Sequence, residues 1–273
     1  MLLRRKGTVR AELTMKVSVC GTTDRGMRRS QNEDDLAMVD LTAEKEFKPP
    51  IDADGLTVGE RGILLAVCDG VGGHRAGEVA SSLALETLAS EMEALADGCP
   101  RQTVFKEAVE KVNQRVWRES KTQERLSGMA TTLTAAVICR GRAIIAHVGD
   151  SRAYLMRGKS VSQLTRDHSL VASMVASGAM TEEQAQRSPF RATITQAVGL
   201  KRTVDVALDS IDLEKGDMLL LCTDGFSEKV RPEEMAEELR SKSLSEAVPE
   251  LVALANARGG EDNITVEAAR VVE

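Results

Sequence analysis

The chain has 273 residues, a formal net charge of −6, and 42% hydrophobic and 29% charged residues. That length admits one large or two small domains with a sizeable core, and the composition is that of an ordinary soluble globular protein. The acidic balance, with Trp117, Tyr154 and four phenylalanines as the whole aromatic complement, argues against nucleic acid as a partner, because such surfaces need basic charge and stacking platforms.

Residues 1–15 are basic and unpatterned and are expected to form a tail. They lack the continuous apolar run of a secretory signal, and no later stretch is long and apolar enough to cross a bilayer. Strands are expected at 16–20 and 36–39 around a turn rich in Gly and Arg. Residues 41–61, polar and carrying Pro49-Pro50, Asp54-Gly55 and Gly59, are expected as a surface loop or hairpin insertion. Residues 63–68 form a continuous apolar run, the mark of a buried strand, and the cluster Gly70-Val71-Gly72-Gly73 turns the chain into a helix. That helix, about 77–95, places Val79, Leu83, Leu88, Met92 and Leu95 at helical spacing, and a second at about 102–125 repeats the pattern with Phe105, Val109, Val112 and Val116.

Short β-rich runs at 132–139, 143–148, 153–156 and 160–164, with Gly141 and Gly158 between successive runs, predict an antiparallel meander. Residues 165–190 are polar and helix-prone, with Thr181 as an N-cap, and are expected as a flap of about 166–190. Strands return at 204–208 and 218–222, helices at 232–239 and 244–255, and a last strand at 264–271. Strands separated by helix pairs, without regular βαβ alternation, predict an α+β layered sandwich. No repeat or linker divides it, so a single domain over 16–273 is expected. Cys20, Cys68, Cys99, Cys139 and Cys222 are odd in number and never spaced Cys-x-x-Cys. They read as small buried residues in a reducing, cytoplasmic setting.

Five aspartates stand at the ends of apolar runs, most beside a glycine: Asp34, Asp69, Asp150, Asp224 and Asp262. A strand end fixes the main chain while its carboxylate projects past the last rung, so several such ends can converge. Converging carboxylates repel unless a cation lies between them. All-oxygen ligation favours hard ions such as Mg²⁺ or Mn²⁺ over zinc. A phosphate-loop reading of the glycine cluster fails because no Gly-Lys-Ser/Thr follows. Of three histidines, His147 reads as a strand or core residue and His168 as a cap or surface residue. His74, just past the glycine turn, is the candidate proton donor. Arg29 lies five residues before Asp34 and could grip an anion with its fork.

Seven motifs in order, Arg29-Ser30-Gln31-Asn32-Glu33-Asp34, Asp69-Gly70-Val71-Gly72-Gly73-His74 with Gly77-Glu78, Gly128-Met129-Ala130-Thr131-Thr132, Val148-Gly149-Asp150-Ser151-Arg152, Thr165-Arg166-Asp167-His168-Ser169, Thr223-Asp224-Gly225 and Glu261-Asp262-Asn263, resemble the bacterial metal-dependent serine/threonine protein phosphatases of the 2C type. The resemblance covers residues 16–271. It implies a four-layer α-β-β-α sandwich of two mostly antiparallel sheets flanked by helices, and hydrolysis of phosphoserine and phosphothreonine in proteins with Mn²⁺ or Mg²⁺. By motif position, Asp34, Asp69, Asp224 and Asp262 would ligate two ions, Asp69 bridging, with the Gly70 carbonyl as a further ligand. Asp150 would serve a third ion, Glu33 would reach the metal through water, and Arg29 would hold the substrate phosphate. Gln196 stands where relatives commonly carry arginine, and Val71 where animal members place a histidine. Phosphoproteins, and a serine/threonine kinase acting on the same substrates, are the implied partners. Neither membrane nor nucleic acid is expected to bind, and we expect a monomer. A nuclease or phosphodiesterase would suit the carboxylates alone but lacks its basic, aromatic groove. A catalytically dead scaffold would be expected to have lost ligands.

Overall fold

The structure, a computed structural model, describes residues 15–71, 76–95 and 98–273. Among them thirteen strands form two sheets. The first contains β1 (Lys16–Asp24), β4 (Ile51–Thr57), β9 (Arg152–Arg157), β10 (Ser160–Gln163), β12 (Met218–Cys222) and β13 (Ile264–Val271), in the order β10-β9-β12-β13-β1-β4. The second contains β2 (Asp34–Asp40), β3 (Lys45–Phe47), β5 (Ile63–Val71), β7 (Leu133–Cys139), β8 (Arg142–Val148) and β11 (Ala207–Asp212), in the order β11-β8-β7-β5-β2-β3, with β6 (Ala130–Thr131) pairing to the end of β5. Every paired neighbour runs antiparallel.

Three apolar layers hold four structural layers together. Val17, Val19, Met38, Ile63, Leu65, Val67, Leu219 and Leu221 fill the space between the sheets. Helices α1 (Ala76–Glu93) and α2 (Gln102–Thr122) cover the outer face of the second sheet, laying Leu88, Phe105, Val109 and Val112 on Leu64, Ala66 and Val137. The remaining helices are α3 (Leu170–Ala176), α4 (Glu182–Gln186), α5 (Asp224–Ser227), α6 (Pro232–Ser241) and α7 (Leu244–Ala257). Of these, α6 and α7 cover the first sheet, with Met235, Leu239, Val248 and Leu251 on Tyr154, Leu220 and Val266. This is the expected α-β-β-α sandwich. It explains why β5, β7 and β12 read as unbroken apolar runs: with period-two alternation, Ile63, Leu65 and Val67 face the other sheet while Leu64, Ala66 and Cys68 face helices. Each fully buried Leu, Ile or Val contributes roughly 1.5–3 kcal/mol relative to exposure.

Three expectations need correction. Residues 41–61 are not one surface loop or self-contained hairpin: β3 forms a hairpin with β2 across residues 41–44 in one sheet, and β4 pairs with β1 in the other. Ile51 and Ala53 are buried while Asp52 and Asp54 are exposed, a half-buried strand whose alternation the prolines and Asp-Gly masked. The expected meander over 132–164 is split, because β7 and β8 pair in the second sheet while β9 and β10 pair in the first. The crossing occurs at Gly149-Asp150-Ser151, where Gly149 takes φ +117°; alternation within each run cannot reveal a change of sheet. The strand expected at 204–208 is shifted to Ala207–Asp212, where it pairs with β8 from Ala207↔His147 to Asp212↔Arg142.

Candidate metal centre

Asp34 opens β2 and Asp69 lies near the end of β5, and the β2–β5 register sets these two residues directly opposite each other. Paired positions bring Cβ atoms to about 4.5–5.5 Å, where like charges destabilise the sheet. Asp69 is held through its main chain: its N–H donates to Thr132 Oγ1 at 2.9 Å, and its carbonyl accepts from Thr132 N and Thr131 Oγ1, each at 2.9 Å. Asp224 begins the short helix α5 directly after β12, and Asp262 precedes β13, which pairs with β12. Asp150 comes from the crossing between the sheets, held by His168 N–H donating to Gly149 O at 2.7 Å and Gly149 N–H donating to His168 Nδ1 at 3.1 Å. Both sheets therefore deliver carboxylates to the same end of the sandwich.

The electrostatics report that convergence. Burial pushes Asp34 up to about 8; hydrogen bonds from Thr265 and Thr223 pull the other way, and the charges of Asp224 and Asp262 push it further up. Asp69 is raised well above the ordinary carboxylate range by burial and then by Asp34, Asp224, Asp150 and Asp262. Burial first and Asp224 next bring Asp150 to about 7. Burial and Asp262 raise Asp224 to about 6, against a lowering contact with Asp69. Asp224 Oδ1 is buried with no hydrogen-bond partner among the described residues. Glu33 is raised mainly by burial, with Arg29 opposing and Asp262 adding to the rise.

Glu33 and Gly70 fit together because neither Gly70 nor Gly77 has a side chain. A Cβ on Gly70 would stand 2.3 Å from Gly77 O and 2.6 Å from Glu33 O, and one on Gly77 would stand 2.8 Å from the Glu33 carboxyl carbon and 2.9 Å from Gly70 O. The Gly70 N–H donates to Glu33 O at 3.1 Å, and Ser81 Oγ donates to the same oxygen at 2.7 Å. Arg29 Nη2 lies 2.7 Å from Asp262 Oδ2, with both side chains partly exposed. The sequence thus named Arg29, Glu33, Asp34, Asp69, Gly70, Asp150, Asp224 and Asp262, and the fold brings all of them to this end. His74 lies outside the described residues. His147 is buried on β8, as expected, and His168 is half-buried, its ring packed against His147 at 4.8 Å between centroids, while the N-cap of α3 is its neighbour Ser169.

Several supporting residues were not singled out. Thr223 and Thr265, both fully buried, donate to Asp34 Oδ2 at 2.8 and 2.7 Å. Asn263 ties the turn before Asp34 in place, donating to Arg25 O and Gln31 O and accepting from Glu33 N–H, each at 2.9 Å. Their positions beside Asp224 and Asp262 were the available signal. As placed, no group of three acidic, histidine or cysteine side chains among the described residues already encloses a point within coordinating reach. Arg29 takes up one oxygen of Asp262 and two hydroxyls take up one of Asp34, while unshielded carboxylates repel. A donor set of oxygens with an unpartnered buried carboxylate oxygen fits a hard divalent cation.

A profile of the family described as protein phosphatase 2C matches residues 48–261. The serine/threonine phosphatase stp of Listeria welshimeri is 36% identical over 248 residues, covering 89% of this chain and 92% of that protein. Among solved structures, Stp1 of Staphylococcus aureus, a serine/threonine phosphatase, superposes with a TM-score of 0.83 at 29% identity, over 98% of this chain and 100% of that one. The catalytic domain of the serine/threonine protein phosphatase PstP, solved in complex with two manganese ions, gives a TM-score of 0.79 at 32% identity, over 95% of this chain and 100% of that one.

Proposed function

Because this chain belongs to the protein phosphatase 2C family, we propose that it is a metal-dependent phosphatase hydrolysing phosphoserine and phosphothreonine in proteins. The observation that carries the reading is the register pair Asp34↔Asp69 at the head of a carboxylate cluster, where burial and then neighbouring carboxylates raise the pKa of both. Asp34, Asp69, Asp224 and Asp262 would hold two Mn²⁺ or Mg²⁺ ions with the Gly70 carbonyl, Asp150 would serve a third, and Glu33 would reach the metal through water. When bound, such ions supply Lewis acidity, lower the pKa of water from about 15.7 towards 7 and offset phosphate charge.

The protein's own groups do the rest. Arg29 forms charge-assisted hydrogen bonds to the phosphoryl oxygens, fixing the group for in-line attack by water. Glu33, seated between Gly70 and Gly77, orients water by accepting its hydrogen bond. His74 is assigned on sequence grounds to return a proton to the leaving serine or threonine oxygen. Residues 166–190, which carry α3 and α4 with Thr181 as a reciprocal N-cap, act as a flap beside the site. We further infer that the protein works as a cytoplasmic monomer, reversing serine/threonine kinase signalling, with Mg²⁺ able to replace Mn²⁺. No helix among the described residues is long and apolar enough to cross a membrane.

The test is an assay of the purified protein on a phosphothreonine peptide, a phosphotyrosine peptide and p-nitrophenyl phosphate, each with Mn²⁺, Mg²⁺ or EDTA. Metal-dependent release of phosphate from the phosphothreonine peptide, abolished by EDTA, is expected. Undiminished turnover in EDTA, or turnover of the phosphotyrosine peptide alone, overturns the reading.

A further inference from the structure

Asp34 does not meet its threonines in isolation. Thr23 and Thr265 are paired across β1 and β13, and their hydroxyl oxygens are 2.7 Å apart. Behind Thr23 stands Asn32, whose Nδ2 donates to Thr23 Oγ1 at 2.8 Å while its Oδ1 accepts from Asp34 N–H at 3.3 Å. A side-chain amide nitrogen only donates, and a hydroxyl has a single hydrogen to give. A hydroxyl can accept twice, so the direction is set from the other end: an ionised Asp34 only accepts, Thr265 gives its hydrogen to Asp34 Oδ2 at 2.7 Å, and Thr23 Oγ1 therefore turns its own to Thr265 Oγ1. Thr223 Oγ1 accepts from Thr265 N–H at 3.1 Å and donates to the same Oδ2 at 2.8 Å. For an ionised Asp34 each hydroxyl has one orientation, and all of them end on Oδ2. Among the described residues no donor reaches Oδ1. Aligned donors polarise one another, so each bond in the chain strengthens the next.

We propose that Thr23, which does not touch Asp34, is a positioning residue for metal binding: it carries the donor sense of Asn32 through Thr265 to Asp34 Oδ2, saturating that oxygen and leaving Oδ1 as the one that takes the cation. This rests on the metal-dependent reading of the site given above. Removing the Thr23 hydroxyl takes away the donor into Thr265 Oγ1, so the Thr265 bond to Asp34 Oδ2 is no longer reinforced and Asp34 loses part of its hydrogen-bonded charge compensation. Outer partners of metal ligands act in this way on affinity.

The experiment is calorimetric titration of Mn²⁺ into the metal-free protein and its Thr23→Val and Thr23→Ser variants, with thermal unfolding of each in EDTA. Thr23→Val keeps the side-chain volume, removes the hydroxyl and is expected to weaken Mn²⁺ binding by roughly tenfold, while Thr23→Ser restores affinity to within about twofold. Mn²⁺ binding by the natural chain that is unchanged in Thr23→Val overturns the proposal, as does a loss in Thr23→Val that Thr23→Ser fails to restore. A change confined to the unfolding temperature, with affinity intact, also overturns it, because that is what a packing role alone produces. Failure of the natural chain to bind Mn²⁺ at all sinks the metal-dependent reading itself and is told apart by that first titration.

Discussion

Asp34 and Asp69 come from adjacent strands of one sheet, fixed opposite each other within a ladder that runs from Asp34↔Asp69 to Asp40↔Ile63, whereas Asp224 and Asp262 come from a four-residue helix and a loop at the ends of β12 and β13 in the other. The two pairs differ in their surroundings as well. Asp34 is 7% exposed and has one oxygen saturated by two hydroxyls, while the Asp262 side chain is 35% exposed and bound to Arg29, and Asp224 keeps a buried oxygen without a partner. The sheet-borne pair is preorganised and bears the repulsion of two buried carboxylates at a rung. The loop-borne pair faces no carboxylate across a rung, and Arg29, the candidate phosphate ligand, already touches it. A backbone ladder thus sets where charge must gather, and the remaining ligands come from short segments at the ends of β12 and β13.

The largest effect that would break this contrast is on Asp69. Asp69→Asn is expected to lower Mn²⁺-dependent turnover of p-nitrophenyl phosphate by about a thousandfold, roughly 4 kcal/mol of transition-state stabilisation, yet to raise the unfolding temperature of the metal-free protein by removing a buried charge from a crowded rung. Asp224→Asn should also abolish most turnover but raise that temperature less, since Asp224 sits on a short helix and has no carboxylate paired opposite it in a strand ladder. Equal stabilisation by both variants would show that the ladder imposes no special repulsion.

The pH dependence of stability comes next in size. Carboxyl groups whose pKa is raised on folding hold protons that the unfolded chain releases, so the folded state binds more protons and loses stability as pH rises. For Asp34 the window runs from the ordinary 3.8 up to about 8, and for Asp150 up to about 7. In EDTA the unfolding temperature is therefore expected to fall steadily from pH 5 to pH 8. Saturating Mn²⁺ should flatten or reverse the slope, because a bound cation favours the ionised form. Glu267, fully buried between the sheets with its pKa raised by burial, contributes a slope of the same sign that Mn²⁺ cannot touch, and Glu267→Gln isolates it. A slope identical with and without Mn²⁺ would remove the cluster as its source.

Much of this was legible in the primary sequence wherever one local signal sufficed. The apolar runs of β5, β7 and β12 and the stripes of α1 and α2 announce elements covered on both sides, and the Asp-Gly and Gly-Asp ends announce where they stop. What depends on partners far along the chain was not legible. Ile51 and Ala53 reach the first sheet only because β1 is there to pair with β4, and the change of sheet at Gly149-Asp150-Ser151 leaves no mark in alternation. Thr223 and Thr265 look like ordinary strand residues until both are found on one oxygen of Asp34, more than 180 residues away in sequence from either.

Asp150 lies between the two pairs and tests whether they act without it. Its turn is held by Gly149 and His168 and by Thr132 Oγ1 and Ser151 Oγ at 2.7 Å, and Thr132 Oγ1 also accepts from the Asp69 N–H at 2.9 Å, so its one hydrogen-bonded link to the pairs runs through the Asp69 main chain. Asp150→Ala is expected to reduce turnover by about tenfold, or 1.4 kcal/mol, while a Mn²⁺ titration still reports two ions. Loss of a second ion as well would mean that the crossing segment belongs to the central pair.

The smallest expected effect concerns Gln196, on the segment that follows α4. Its Oε1 accepts from Asp205 N–H at 3.2 Å, and two residues on, Val198 and Thr131 exchange main-chain hydrogen bonds of 2.8 and 3.0 Å. Thr131 in turn holds the Asp69 carbonyl, so this segment is the nearest thing to a lever on the sheet-borne pair from outside the cluster. Gln196→Arg gives up one acceptor at an exposed site, a cost of about 0.5–1 kcal/mol in stability, and adds a cation where relatives commonly carry one. A KM for the phosphothreonine peptide altered by about two- to threefold, equivalent to roughly 0.4–0.7 kcal/mol, is expected, with Mn²⁺ affinity and p-nitrophenyl phosphate turnover unmoved. Should Mn²⁺ affinity move instead, the Val198–Thr131 clasp transmits strain to Asp69, and the ladder is less rigid than its register implies.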